Sequence, residues 1–214
     1  MQRMHGTTIV AVHRDGVSAL AGDGQVSLGD TIVKRGAVKV RTLADGAVLA
    51  GFAGAVSDAF TLLDKFEGHL GASRNNLLKA AVETVKEWRT DRVLRNLEAM
   101  LLVADDTHIL SLSGHGDVIT PDDPVAAVGS GGAFAQAAAL ALLRATDLGA
   151  EEIARRALAI AGEIDVYTSG SGTVLTVGGG GRAVAGDEGA DGDEGDDGDA
   201  GGDAAAEAAP RGDA

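Results

Sequence analysis

Apolar residues along the chain first follow a period of two, then one of three to four, and the pair of periods repeats. Thr7 to His13 and Val17 to Ala21 read as strands joined at Asp15-Gly16. Val38 to Leu43 and Ala47 to Phe52 read as a second hairpin, with Asp45-Gly46 supplying turn residues that tolerate positive φ. Then Val56, Phe60, Leu63, Phe66 and Leu70 step by three or four, as do Leu78, Val82, Val85 and Trp88, which predicts two amphipathic helices. Strand character returns at Ala99 to Ala104, His108 to Leu112 and Val125 to Val128. Two more helices are expected at Ala133 to Arg144 and Glu151 to about Ile164, and a last strand at Thr173 to Val177.

Segregated runs of strands and helices argue an α+β fold in which helices cover the outer faces of two packed antiparallel sheets, a four-layer αββα sandwich. The pattern stops near Gly178. Beyond it the chain is Gly, Ala, Asp and Glu with few large apolar residues, a composition that cannot offset the entropy of ordering. We therefore expect a domain over residues 7–177, a six-residue leader before it, and a disordered acidic tail over 178–214.

Charge confirms that division. The 214 residues carry a formal net charge of −14, but Asp187 to Ala214 hold eleven acidic residues against one Arg, leaving only −4 for the rest. No Lys/Arg stripe with interleaved aromatics is present, so nucleic acid is not an expected ligand. With no cysteine, disulfides, thiolate metal sites and a cysteine nucleophile are excluded. The N-terminus lacks a signal-peptide core, and no segment reaches the roughly 18 apolar residues of a membrane span. A soluble cytoplasmic protein is expected.

The candidate chemistry starts at His5-Gly6-Thr7-Thr8. A Thr hydroxyl is a weak nucleophile unless a base assists it, and an N-terminal Thr carries that base as its own α-amino group, with an unperturbed pKa of about 7.7 to 8.0. Exposing Thr7 requires a cut after Gly6, whose missing side chain leaves its carbonyl open to the Thr7 hydroxyl. Alone, Thr-Thr at a strand start is ordinary β-propensity.

Gly22-Asp23-Gly24-Gln25 reads as a tight turn whose Asp could also pair a buried cation. Lys39 sits in a predicted strand, pointing either outward at an edge or inward, where it would lower the proton affinity of the Thr7 hydroxyl and amine with Asp23 as its partner. Ala50-Gly51-Phe52-Ala53-Gly54 ends a strand before a helix and leaves N–H donors suited to an oxyanion. Gly129-Ser130-Gly131-Gly132 has the same placement, lacks a Walker Lys-Ser/Thr, and could simply start a helix with Ser130 as cap. The five histidines show no metal-ligand spacing.

Taken in order, TTIVAV, AGDGQVSLGDTIVK, AVKV, AGFAGAVSDAFTLLDKFE, KEWRTDRVLR, GSGGAFAQAAALAL and AGEIDVYT, from about Thr7 to Thr168, resemble the HslV family. These are peptidase subunits of bacterial ATP-dependent HslUV proteases and relatives of proteasome β subunits. The resemblance implies an N-terminal nucleophile hydrolase fold and a homododecamer of two stacked hexameric rings, capped by an HslU-type AAA+ ATPase hexamer that feeds in unfolded protein. It implies Thr7 as nucleophile, Lys39 and Asp23 tuning it, Ser130 relaying the amine proton, and the Gly54 N–H facing the oxyanion. It also implies a structural sodium ion on backbone carbonyls of Gly162, Asp165 and Thr168, no organic cofactor, and ATP used by the partner alone. The ending SGSGTVLTVGGGG and the acidic tail depart from the family pattern. A proteasome β subunit proper, a small-molecule amidase with the same nucleophile, and an inactive scaffold subunit are the alternatives.

Overall fold

The computed structural model describes residues 4–5, 7–54, 56–91, 94 and 99–185; for residues 4–5, 56–60 and 181–185 the backbone alone is described. Two five-stranded antiparallel sheets form its centre. In one, β2 (Thr8–Arg14), β3 (Val17–Asp23), β11 (Val125–Gly129), β12 (Gly172–Gly178) and β13 (Gly181–Ala185) run in the order β11-β2-β3-β12-β13. In the other, β6 (Val40–Leu43), β7 (Val48–Gly54), β8 (Ala99–Ala104), β9 (Ile109–Ser113) and β10 (Val118–Ile119) run β10-β9-β8-β7-β6. A small third sheet joins β1 (Met4–His5), β4 (Val26–Leu28) and β5 (Thr31–Lys34) in the order β1-β4-β5.

Side-chain alternation turns these sheets into layers. In β2, Ile9 and Ala11 point at the second sheet and pack with Val40, Leu49 and Leu102. Val10 and Val12, on the opposite face, pack under α3 (Gly132–Ala145) and α4 (Ala150–Ile164) against Ala135, Ile153 and Leu158. Both faces of β2 are covered, which is why its sequence is an almost unbroken apolar run. On the far side, Phe52, Leu101 and Leu110 pack under α1 (Val56–Ala72) and α2 (Leu77–Thr90) against Phe66, Val85 and Trp88. Three apolar cores thus separate four layers, and each fully buried aliphatic side chain contributes roughly 1.5–3 kcal/mol.

The turns follow their residue types. Asp15 (φ 53°) and Gly16 (φ 74°) both adopt positive φ between β2 and β3, the geometry that closes a right-twisted two-residue hairpin. Asp45 (φ 54°) and Gly46 (φ 85°) do so between β6 and β7, within a 3-10 turn over Ala44–Gly46.

Three expectations need correction. The face of α2 is rotated: Leu77, Ala80, Ala81, Thr84, Val85 and Trp88 are buried, whereas Leu78 and Val82 are 55% and 36% exposed. Small alanines let the helix approach the sheet, and the larger apolar residues beside them point outward. The Val38 strand begins instead at Val40, with Val38 exposed. Regular structure also outlasts residue 177: three glycines of positive φ, Gly178 to Gly180, reverse the chain so that β13 pairs with β12, with Thr176 opposite Val184. The expected tail is therefore shortened by β13, and its remainder, residues 186–214, lies outside the described residues. No helix among the described residues is long and apolar enough to cross a membrane.

Candidate active site

Thr7 stands at the foot of β2, where neighbouring chain segments fix its backbone. Its carbonyl accepts the Ser130 N–H at 3.0 Å. Gly129 lies against it from β11, paired with Thr8. A Cβ on Gly129 would fall 1.8 Å from the Thr7 oxygen, and its φ of +99° also favours glycine, so this approach needs a residue without a side chain. Ser130 itself is exposed, and it meets Thr7 through its backbone. Thr7 is 7% exposed. Upstream, β1 pairs with β4, Met4 opposite Leu28 and His5 opposite Ser27, while Gly6, the expected cleavage position, lies outside the described residues.

Beside Thr7 is a buried ion pair. Lys39 points inward at 4% exposure, and its Nζ donates to Asp23 Oδ1 at 2.8 Å and to the Gln25 carbonyl. Asp23 is wholly buried. The same Oδ1 accepts the Thr8 N–H at 2.7 Å, so the ammonium and the residue next to Thr7 meet on one carboxylate oxygen. Oδ2 accepts the Gln25 N–H at 2.8 Å and the Ser169 N–H at 3.3 Å. Burial holds the Lys39 pKa below the usual lysine value, with the charge and hydrogen bond of Asp23 opposing that shift. The outcome is a cation that yields its proton more readily than an exposed lysine, held beside the strand that carries the candidate nucleophile.

A directed chain of hydroxyls supports the other side. Thr168 Oγ1 donates to Asp165 Oδ2 at 2.5 Å, which uses its only proton. In the 2.7 Å contact between the Thr168 and Thr8 hydroxyls, Thr8 is therefore the donor. Thr8 Oγ1 in turn accepts the Gly131 N–H at 2.9 Å. The array runs Gly131 N–H, Thr8, Thr168, Asp165 and ends on a carboxylate. It joins the start of α3, the strand of Thr7 and the turn after α4. Gly131 also has to lack a side chain, since a Cβ there would sit 2.6 Å from Thr8 Oγ1 and 2.7 Å from Thr168 Oγ1.

Gly54 ends β7, exposed and at φ 145°, two residues beyond Phe52, whose N–H donates to the Lys39 carbonyl at 3.4 Å. It therefore lies at the Lys39 end of the second sheet. Gly162 is in the last turn of α4, whose terminal carbonyls have no partner within the helix and form its negative pole. Asp165 and Thr168 follow in the succeeding turn, where the Asp165 carbonyl accepts the Thr168 N–H at 3.0 Å and keeps a second lone pair. Backbone oxygens at a helix C-terminus suit a hard monovalent cation, so these residues fit the expected sodium ion. Among the described residues no group of three or more His, Asp or Glu side chains is placed to hold a metal ion.

Several residues at this site have no sequence signal of their own. Thr8, Gln25, Gly131 and Ser169 act through backbone atoms or through partners more than 100 positions away. Asp165, expected to serve only through its carbonyl, also uses its side chain, since Oδ1 accepts the Tyr167 N–H at 3.3 Å and Oδ2 accepts Thr168 Oγ1.

A family profile described as proteasome subunit matches residues 4–177. The ATP-dependent protease subunit HslV of Petrotoga mobilis is 56% identical over 165 residues, 77% of this chain and 93% of that protein. The protein of the same name from Desulfovibrio desulfuricans is 59% identical over 174 residues, 81% of this chain and 98% of that protein. Among solved structures, eukaryotic HslV from Trypanosoma brucei superposes with a TM-score of 0.76 at 45% identity, covering 80% of this chain and 99% of that one.

Proposed function

The chain belongs to the proteasome-subunit family, in its HslV branch, and on that premise we propose that it is the threonine peptidase subunit of a two-component ATP-dependent protease, with Thr7 as nucleophile. The observation that carries this reading is the buried Lys39–Asp23 pair, whose carboxylate also holds the residue next to Thr7.

In the precursor the Thr7 nitrogen is acylated by Gly6 and is no base. Attack of the Thr7 hydroxyl on the Gly6 carbonyl transfers the acyl group from N to O, the hydroxyl proton passing to the departing nitrogen and freeing the amine, and water then hydrolyses that ester, releasing the leader and restoring the hydroxyl. In the mature enzyme Thr7 Oγ attacks the scissile carbonyl of a substrate, and the Thr7 amine takes the hydroxyl proton, with Ser130 relaying it. The Lys39 charge lowers the proton affinity of both Thr7 groups. The oxyanion is met by the Gly54 N–H. The amine returns the proton to the departing nitrogen, an ester remains on Thr7, and water resolves it.

ATP enters through the partner, an HslU-type AAA+ hexamer that unfolds proteins and delivers them to a chamber enclosed by two stacked six-membered rings in the cytoplasm. Activity depends allosterically on that partner. Carbonyls of Gly162, Asp165 and Thr168 would hold a sodium ion, which supplies fixed positive charge to the turn that carries Thr168.

N-terminal sequencing of the purified protein should begin at Thr7, and Thr7→Ala should keep its leader and lose peptide hydrolysis in the presence of the ATPase. A mature chain still starting at Met1, or a Thr7→Ala protein with undiminished activity, refutes the reading.

A further inference from the structure

Gln25 has a side chain for which the proposed reaction has no use, yet it is 3% exposed and both of its amide protons are committed. Nε2 donates to the Val166 carbonyl at 2.9 Å and to Ser27 Oγ at 3.0 Å. The opposite amide orientation would set two oxygens against each other at Val166, so the contacts fix the amide. The main chain of the same residue is equally engaged, its N–H on Asp23 Oδ2 and its carbonyl on Lys39 Nζ.

One residue therefore joins three segments: the loop after β3, the segment entering β6 through the Lys39 ammonium, and the turn after α4. Its carbonyl is the second acceptor on an ammonium whose first is Asp23. That carbonyl can hold its place only if residue 25 cannot rotate. The two side-chain bonds, one to the Val166 backbone oxygen across the site and one to buried Ser27, oppose that rotation together with the Gln25 N–H bond to Asp23.

We propose that Gln25 is a positioning residue for Lys39: its carboxamide, clamped between Val166 and Ser27, holds the backbone carbonyl that fixes the lysine ammonium. The proposal rests on the threonine peptidase reading above. It does not require the carboxamide to touch substrate.

The test is Gln25→Met, which keeps length and apolar volume but removes both N–H donors. Because a carbonyl facing an ammonium favours the charged form, loosening it makes Lys39 give up its proton sooner. Asp23 is the charged group that pairs with Lys39, and the substitution leaves it in place. Peptide hydrolysis by the mature holoenzyme with its ATPase should show kcat reduced by about tenfold, less than the ~100-fold that a full 1 Å misplacement can cost. KM should stay within about twofold, since the lost contact positions a group rather than binding substrate. The alkaline limb of the pH profile should move to lower pH.

Ser27→Ala, which removes one of the two acceptors, should move both quantities the same way by less, and this guards against a Gln25→Met protein that fails to fold. Wild-type kcat and limb in both variants overturn the proposal. A lower kcat with an unmoved limb also overturns it, because general loosening would then account for the loss. Thr7→Ala, measured beside them, reports on the peptidase reading by itself: undiminished activity there refutes that reading, whatever Gln25→Met shows.

Discussion

Replacing Asp23 by Asn changes one atom and removes one charge, and the structure says which of the resulting losses dominates. The carboxylate receives four donors, the N–H groups of Thr8, Gln25 and Ser169 and the Lys39 ammonium. An amide has only one oxygen, so two of those donors would face an NH2 group. Stranding the charge of a buried pair costs about 3–5 kcal/mol, and each buried N–H left unpaired costs a further ~1–3 kcal/mol. Lys39 limits the first cost by shedding its proton, at about 1.4 kcal/mol for each pH unit between its pKa and the solution. A net destabilisation near 4 kcal/mol at neutral pH is therefore expected, shrinking as pH rises and the lysine becomes neutral. Lys39→Met is expected to cost less, because three backbone N–H groups still satisfy the anion it leaves behind. The assay is urea unfolding at fixed protein concentration, since assembly makes apparent stability depend on concentration. If Lys39→Met proves more damaging than Asp23→Asn, or if Asp23→Asn lies within about 1 kcal/mol of wild type, the carboxylate is not the hub described.

Three further outcomes follow from the same geometry. Thr8→Val, nearly isosteric, leaves the Gly131 N–H without its acceptor and Thr168 Oγ1 without its donor, and should cost about 2–4 kcal/mol; Thr8→Ser should recover most of it in the same melts. Gly129→Ala, whose Cβ would fall 1.8 Å from the Thr7 carbonyl oxygen, should destabilise by well over the ~1 kcal/mol of an average substitution and lower peptidase kcat, whereas Gly16→Ala, at a turn with open space around it, should leave kcat unchanged. For pH dependence, the lowered Lys39 pKa means the unfolded chain holds more protons between that folded value and 10.5; stability contributed by this group therefore rises with pH through that window. The difference between wild type and Lys39→Met in denaturation midpoints should carry this slope, and parallel curves would refute it.

The layered fold was legible in the sequence wherever a strand or helix was long enough to show its period. β2 announced itself by an unbroken apolar run because both of its faces are covered, and Asp15-Gly16 and Asp45-Gly46 marked turns because those residues tolerate positive φ. Short elements carried no such signal. β5 is exposed along its whole length, and β1 and β10 are two residues each, so no alternation exists to be read. In α2 the period was visible but its phase was not. Alanine is small enough to serve either face, and only packing against the sheet decides that Ala80 and Ala81 go in while Leu78 and Val82 stay out.

The site divides along a similar line. Asp23, Lys39 and Ser130 stand out in sequence as residue types with chemistry to offer, although only the resemblance chose between their open readings. Their supports do not stand out. Thr8 looks like a strand former, yet its hydroxyl is the middle of an array ending on Asp165, 157 residues along the chain from it. Gln25 looks like the close of a turn, yet its amide is the brace between that turn and residue 166. A hydroxyl or amide becomes a positioning group through the partner folding brings to it, and a sequence read locally contains the group without the partner. Buried polar groups must find partners or cost ~1–3 kcal/mol each, so the polar residues that the fold buries around Lys39 mark where those long-range partners had to be.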